Sequence, residues 1–114
     1  MNRQKIYDAV KEHLLKQKKH SLITWGNNAC AYRGAGDLKC AIGCLIPDEL
    51  YETRMETCTV SGLIKDFPSL RDFFDGNELD VTFLQELQTV HDRFTVEEWP
   101  QKLTDLALYF KLKP

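Results

Sequence analysis

One stretch constrains the fold more than any other: LKCAIGCLIPDELY, residues 38–51. Its centre, residues 40–46, carries no charge, and Pro47 stops it with Asp48 and Glu49 directly behind. Small residues (Ala41, Gly43) alternate with larger apolar ones (Ile42, Leu45, Ile46). That is the pattern of a segment against which other elements press closely. It reads as the centre of the core, with Cys40, Ile42, Cys44 and Leu45 inward. A run this short does not separate strand from buried helix by its period. Pro47 disfavours helical geometry at the residue before it, which favours a short helix over 41–46 that ends there.

Around this centre the periodicity is mostly helical. Ile6, Tyr7, Val10 and Leu14 predict a helix over residues 3–17, capped by Asn2. Thr59 caps a helix to Lys65 with Val60, Leu63 and Ile64 inward, and Pro68 opens another short turn over 69–74. The clearest later helix is 81–92, capped by Asp80, with Leu84, Leu87 and His91 on one face and Phe83 and Val90 beside it. Thr95 and Glu98 have capping-box spacing. Pro100 suits the first position of a last helix, 100–111, with Leu103, Leu106, Ala107 and Phe110 inward.

The β signals are few. Residues 22–25 read as a short strand. Residues 30–33 and 38–40 flank Gly34-Ala35-Gly36-Asp37, which suggests a β-hairpin. The expected fold is therefore α+β: a single small α-dominated domain over residues 1–114 with a short β-hairpin.

Composition limits function more than it assigns it. The 114 residues suit one domain, and 43% hydrophobic with 28% charged residues is ordinary for a globular chain. No apolar stretch approaches the ~18 residues needed to cross a bilayer, and residues 1–15 hold no signal-like apolar region. The expected setting is cytoplasmic, with the four cysteines as free thiols. Residues 1–40 carry eight Lys/Arg against three acids, a balance of +5, and the remainder seven against fourteen, a balance of −7. Such a split can steer a charged partner. The plainer reading is that the two ends lie side by side.

Tyr32-Arg33, then KCAIGCLIPDE with Tyr51 soon after, then Leu87, Gln88, His91 and Asp92, and a later Trp99 before an apolar helix resemble an uncharacterised family of small phage- and prophage-encoded proteins. The resemblance covers nearly the whole chain. It implies a cytoplasmic protein made during infection, of the kind that binds a host protein, including those of defence systems, and inhibits or redirects it. It supplies no catalytic residue.

Each chemical constellation has a plainer rival. Cys30, Cys40, Cys44 and Cys58 with His20 and His91 hold the right atoms for zinc. They lack a C-x-x-C pair, and core cysteine is the better reading, with no metal or other cofactor expected. Cys40 or Cys44 with His91 and Asp92 offers nucleophile, base and orienting acid. Adjacent side chains on a helix point about 100° apart, however, so Asp92 is not expected to orient His91. Asp48-Glu49 and Glu97-Glu98 could serve as acid–base pairs, but acidic residues at helix starts are ordinarily caps. Lys16, Lys18, Lys19, His20 and Arg33, with Tyr32 and Trp25, could contact nucleic acid. A pI of 5.9 and the lack of a binding motif argue against it. Gly34-Ala35-Gly36 lacks the lysine of a phosphate loop.

The expected function is non-enzymatic binding of a host protein. The expected face joins Tyr32, Arg33 and Asp37 to Asp48, Glu49, Glu97, Glu98 and Trp99. The rivals are a small cysteine-dependent enzyme using Cys40 or Cys44 with His91, and a zinc-stabilised nucleic-acid-binding module.

Overall fold

A computed structural model describes residues 2–22, 31–74 and 81–114. Five α-helices form its frame: α1 (Arg3–Gln17), α2 (Val60–Asp66), α3 (Pro68–Phe73), α4 (Val81–Arg93) and α5 (Trp99–Tyr109). Four 3-10 turns fill the connections, at Ala35–Asp37, Gly43–Leu45, Thr53–Thr57 and Val96–Glu98. Helix starts follow their expected chemistry. The Asn2 side chain accepts from Lys5 N–H at 2.9 Å, and Thr59 Oγ1 accepts from Gly62 N–H at 3.1 Å. Glu98 accepts from Thr95 N–H at 3.0 Å and completes the capping box, which holds its carboxyl below the ordinary value. The expected cap Asp80, and Trp25 and Cys30, lie outside the described residues.

The predicted hairpin is absent. The fold is helical, 67% helix and 1% strand, with no sheet among the described residues. Leu22 is an isolated bridge residue, and residues 23–25 lie outside the described set. Residues 34–38 do turn back, closed by Gly34 N–H donating to Leu38 O at 2.7 Å around a 3-10 turn with Gly36 at φ 68°. The flanking segments do not pair further, because helical and loop side chains take their backbone groups. The Gln17 amide donates to Lys39 O at 2.9 Å and accepts from Lys39 N–H at 3.0 Å, as a neighbouring strand would. Glu56 accepts from the N–H groups of Tyr32 and Arg33 at 2.8 and 2.9 Å. Buried backbone groups need partners of some kind, and here side chains supply them.

The core gathers around the stretch that the sequence marks. Cys40, Ala41, Ile42, Leu45 and Ile46 are buried among residues of all five helices, while Cys44 is partly buried. Instead of one helix over 41–46 there is a short 3-10 turn, Gly43–Leu45, ending before Pro47. Gly43 has a steric reason: a Cβ there would run into the backbone of Tyr32. The two chain ends do lie together. Gln4 exchanges hydrogen bonds with the Lys113 backbone at 2.9 and 3.0 Å, and Tyr7 of α1 donates to Leu103 O of α5 at 3.0 Å. No helix among the described residues is long and apolar enough to cross a membrane.

Candidate functional site

Helix α4 carries the groups richest in chemistry, and their hydrogen bonds fix their states. His91 is fully buried. Ser21 N–H donates to His91 Nε2 at 2.9 Å. A backbone N–H can only donate, so Nε2 is the acceptor and the ring hydrogen sits on Nδ1. That hydrogen goes to Asp92 Oδ1, 2.8 Å away. The expectation that adjacent side chains would point apart is therefore corrected. The two meet at the end of the helix, where the buried His91 ring reaches the Asp92 carboxylate, which stays open to solvent. Gln88 ties the pair to the core stretch, donating to Asp92 Oδ1 at 2.7 Å and accepting from Ile42 N–H at 3.0 Å. The His91 ring stacks on Trp99 at 5.6 Å, and His20 stands edge-on to both rings. His20 itself donates to Phe94 O at 2.8 Å.

The thiols are held as thiols. Cys40 is buried, its sulfur accepts from Gly43 N–H at 3.3 Å, and burial pushes its pKa well up against that hydrogen bond. Cys44 donates to Ala41 O at 3.1 Å, and burial pushes it up to about 12 despite the opposing influence of Lys39 and Arg33. Such thiols are poor nucleophiles at neutral pH. Cys40 does border a cleft of about 160 Å3 with Tyr32, Glu56, Cys58, Gln88 and Asp92. His91 is not part of its lining. Among the described residues no group of three His, Cys, Asp or Glu side chains is placed to hold a metal.

The expected binding anchors are mostly structural. Tyr32 is 7% exposed, and its hydroxyl donates to Cys58 O at 2.9 Å. Trp99 is fully buried. Arg33 works as a clasp on the core stretch, donating to Gly43 O at 2.7 Å, Ile46 O at 2.8 Å and Asp48 at 2.9 Å. Its guanidinium lies over Tyr51, whose hydroxyl donates to Glu56 at 2.6 Å. Burial and the Glu56 carboxylate push Tyr51 up to about 12.

The expected face divides. Asp37, Asp48, Glu49, Glu97 and Glu98 are exposed. Asp37 and Asp48 share a cleft of about 350 Å3 with Arg33 and Lys39. Glu97, Glu98 and Trp99 are not part of its lining and belong instead to the start of α5. Lys16, Lys18 and Lys19 are exposed, but Tyr32 is buried and Arg33 is committed to the clasp.

Sequence reasoning missed Gln17, Ser21 and Glu56 as braces. It also missed a groove of about 410 Å3 between α4 and α5, beside which Tyr109 is 81% exposed. The run Leu106-Ala107-Leu108-Tyr109-Phe110 signalled that groove, because five consecutive apolar residues span more than one helix face. Glu56 carried no signal, lying in a short turn without periodicity.

The chain matches no protein-family model, no curated protein and no solved structure.

Proposed function

We propose that this chain is a non-enzymatic effector of the phage type, acting in the host cytoplasm by binding a host protein and inhibiting or redirecting it. One observation carries the non-enzymatic half. His91 Nε2, the atom that would take a proton from a cysteine, already accepts the Ser21 N–H, and its other nitrogen is bound to Asp92. The raised thiol of Cys40 supports the same reading. The binding half is supported by the resemblance of the KCAIGCLIPDE and Leu87–Asp92 residues to small phage-encoded proteins. It is also supported by two large apolar side chains, Leu108 and Tyr109, that stand 62% and 81% exposed side by side at the end of α5.

The test has two parts. Tagged protein drawn through a bacterial lysate should retain one host protein in near-stoichiometric amount. Iodoacetamide at neutral pH should modify Cys40 slowly in the folded state. A turnover abolished by Cys40→Ser or Cys44→Ser in a folded variant would replace this reading with a cysteine enzyme.

A further inference from the structure

The groove between α4 and α5 deepens the protein-binding reading and rests on it. The ring of Phe83 meets that of Phe110 at 5.0 Å, and Lys102 lies over the ring of Phe94 at 4.7 Å. These contacts set the start of α4 beside the end of α5 and run the two helices antiparallel. The groove extends along them from Thr82 to Phe94, about 18 Å at 1.5 Å per residue. Val90, Leu106 and Phe110 give it an apolar lining, and Tyr109 stands 81% exposed along it.

Charge and backbone chemistry narrow the occupant. Glu86 and Asp105 stand on opposite walls, and Lys102, the groove's cation, is drawn onto Phe94. Residues 81–110 as a whole hold five acids against two bases, a balance of −3. A second copy seated face to face would bring the Glu86 and Asp105 carboxylates of both copies into one groove, which is unfavourable. Both walls are helices whose backbone groups are internally bonded, so they offer no edge to an extended strand. A helix brings its own backbone already bonded and can lay an apolar face along a groove of this length, so it is the occupant that such walls favour. We propose that this groove seats an amphipathic helix of the partner protein, with an apolar face on Tyr109 and Phe110 over a floor of the buried Val90 and Leu106, and Lys or Arg flanks toward Glu86 and Asp105.

The test titrates isotope-labelled protein with three synthetic helical peptides of about 14 residues, a length near that of the groove. They share one apolar face and differ in Lys, Gln or Glu flanks. The Lys peptide should shift amide signals of residues 82–94 and 102–110 and bind at least about tenfold more tightly than the Glu peptide. Glu86→Lys with Asp105→Lys should reverse that order. Tyr109→Ala should weaken the Lys peptide at least about fivefold without changing the melting of the free protein. Equal binding of all three peptides, shifts elsewhere, or no binding overturns the proposal. So does a dimer that Tyr109→Ala dissolves, since a second copy is then the occupant. The lysate experiment separates this inference from the reading beneath it. A host protein held equally by the parent and by Glu86→Lys/Asp105→Lys refutes the groove and leaves protein binding standing. A parent that retains no host protein refutes the effector reading, while the peptide titration still decides the groove.

Discussion

Residues 31–58 and the α4–α5 pair satisfy their backbones in opposite ways. Past the first turn of each helix of the pair, N–H groups find carbonyls four residues earlier, and most side chains are left to pack or to face water. In residues 31–58 regular structure is confined to short 3-10 turns, and side chains from distant positions take over. Gln17, Gln88, Glu56 and Arg33 hold the backbone at Lys39, Ile42, Tyr32 and Gly43 respectively. The difference explains why the most distinctive residues of the chain need not mark an active centre. Tyr32-Arg33, KCAIGCLIPDE, Tyr51, Gln88, His91 and Asp92 are joined by one set of contacts whose work is to fix an irregular core.

The comparison breaks most easily at its apolar centre. Leu45 is 7% exposed, so Leu45→Ala should destabilise by about 2–5 kcal/mol, read from denaturant midpoints. An unchanged midpoint would mean that residues 40–46 are not the core. A smaller effect isolates the braces. Gln88→Leu roughly keeps the side chain's bulk but strips the buried Ile42 N–H of its acceptor, which should cost about 1–3 kcal/mol. Gln85→Leu, one turn earlier and exposed, should stay within about 0.5 kcal/mol. Equal effects at the two positions would remove the distinction between brace and surface.

Regular elements were legible in the sequence because they depend on local signals. Asn2, Thr59, Thr95 and Glu98 cap where their spacing places them, and the inward faces of α1, α2, α4 and α5 follow the apolar period. The hairpin does not form although Gly34–Asp37 does turn, because whether the flanks pair is decided by residues far away. Gln17 and Glu56 take those backbone groups, and nothing local announces them. His91 and Asp92 were misjudged for a related reason. A helical wheel gives the direction of Cβ, whereas a longer side chain bends back to the nearest partner. Gln88 was half legible, as an amide on the same inward face as Leu84 and His91.

Alkali should act on residues 31–58 before it acts on the helix pair. Cys44 titrates ordinarily at 9.0 and is pushed up to about 12 in the fold, and Cys40 is raised in the same direction, both chiefly by burial. The unfolded chain therefore loses these protons first. The stability they contribute is fully present below pH 9.0 and is lost as the pH rises toward 12. Each thiol should cost about 1 kcal/mol at pH 10. Thermal melting across pH 8–11 checks this, and Cys44→Ala should flatten the curve. A melting temperature level across that range would mean that the thiols are open to water.

The smallest expected effect is also the sharpest test of the division between the two regions. Tyr109 is 81% exposed and Leu108 62% exposed, both on the last turn of α5. Tyr109 meets the neighbouring Phe110 ring edge-on at 5.1 Å, but removing an exposed side chain leaves no cavity and unpairs no buried group, so Tyr109→Ala and Leu108→Ala should each change stability by less than about 1 kcal/mol. The Phe110 ring, by contrast, is held between Phe83 and the Arg3 guanidinium at 5.0 and 5.5 Å, so Phe110→Ala should cost clearly more. The contrast lies between adjacent residues at one helix end, so fraying of that end bears on both alike. If Tyr109→Ala melts as low as Phe110→Ala, the tyrosine is part of the fold and the helix pair has no surface to spare. If it melts with the parent, an aromatic ring is being kept in water at no structural benefit, and contact with another molecule is what it remains available for.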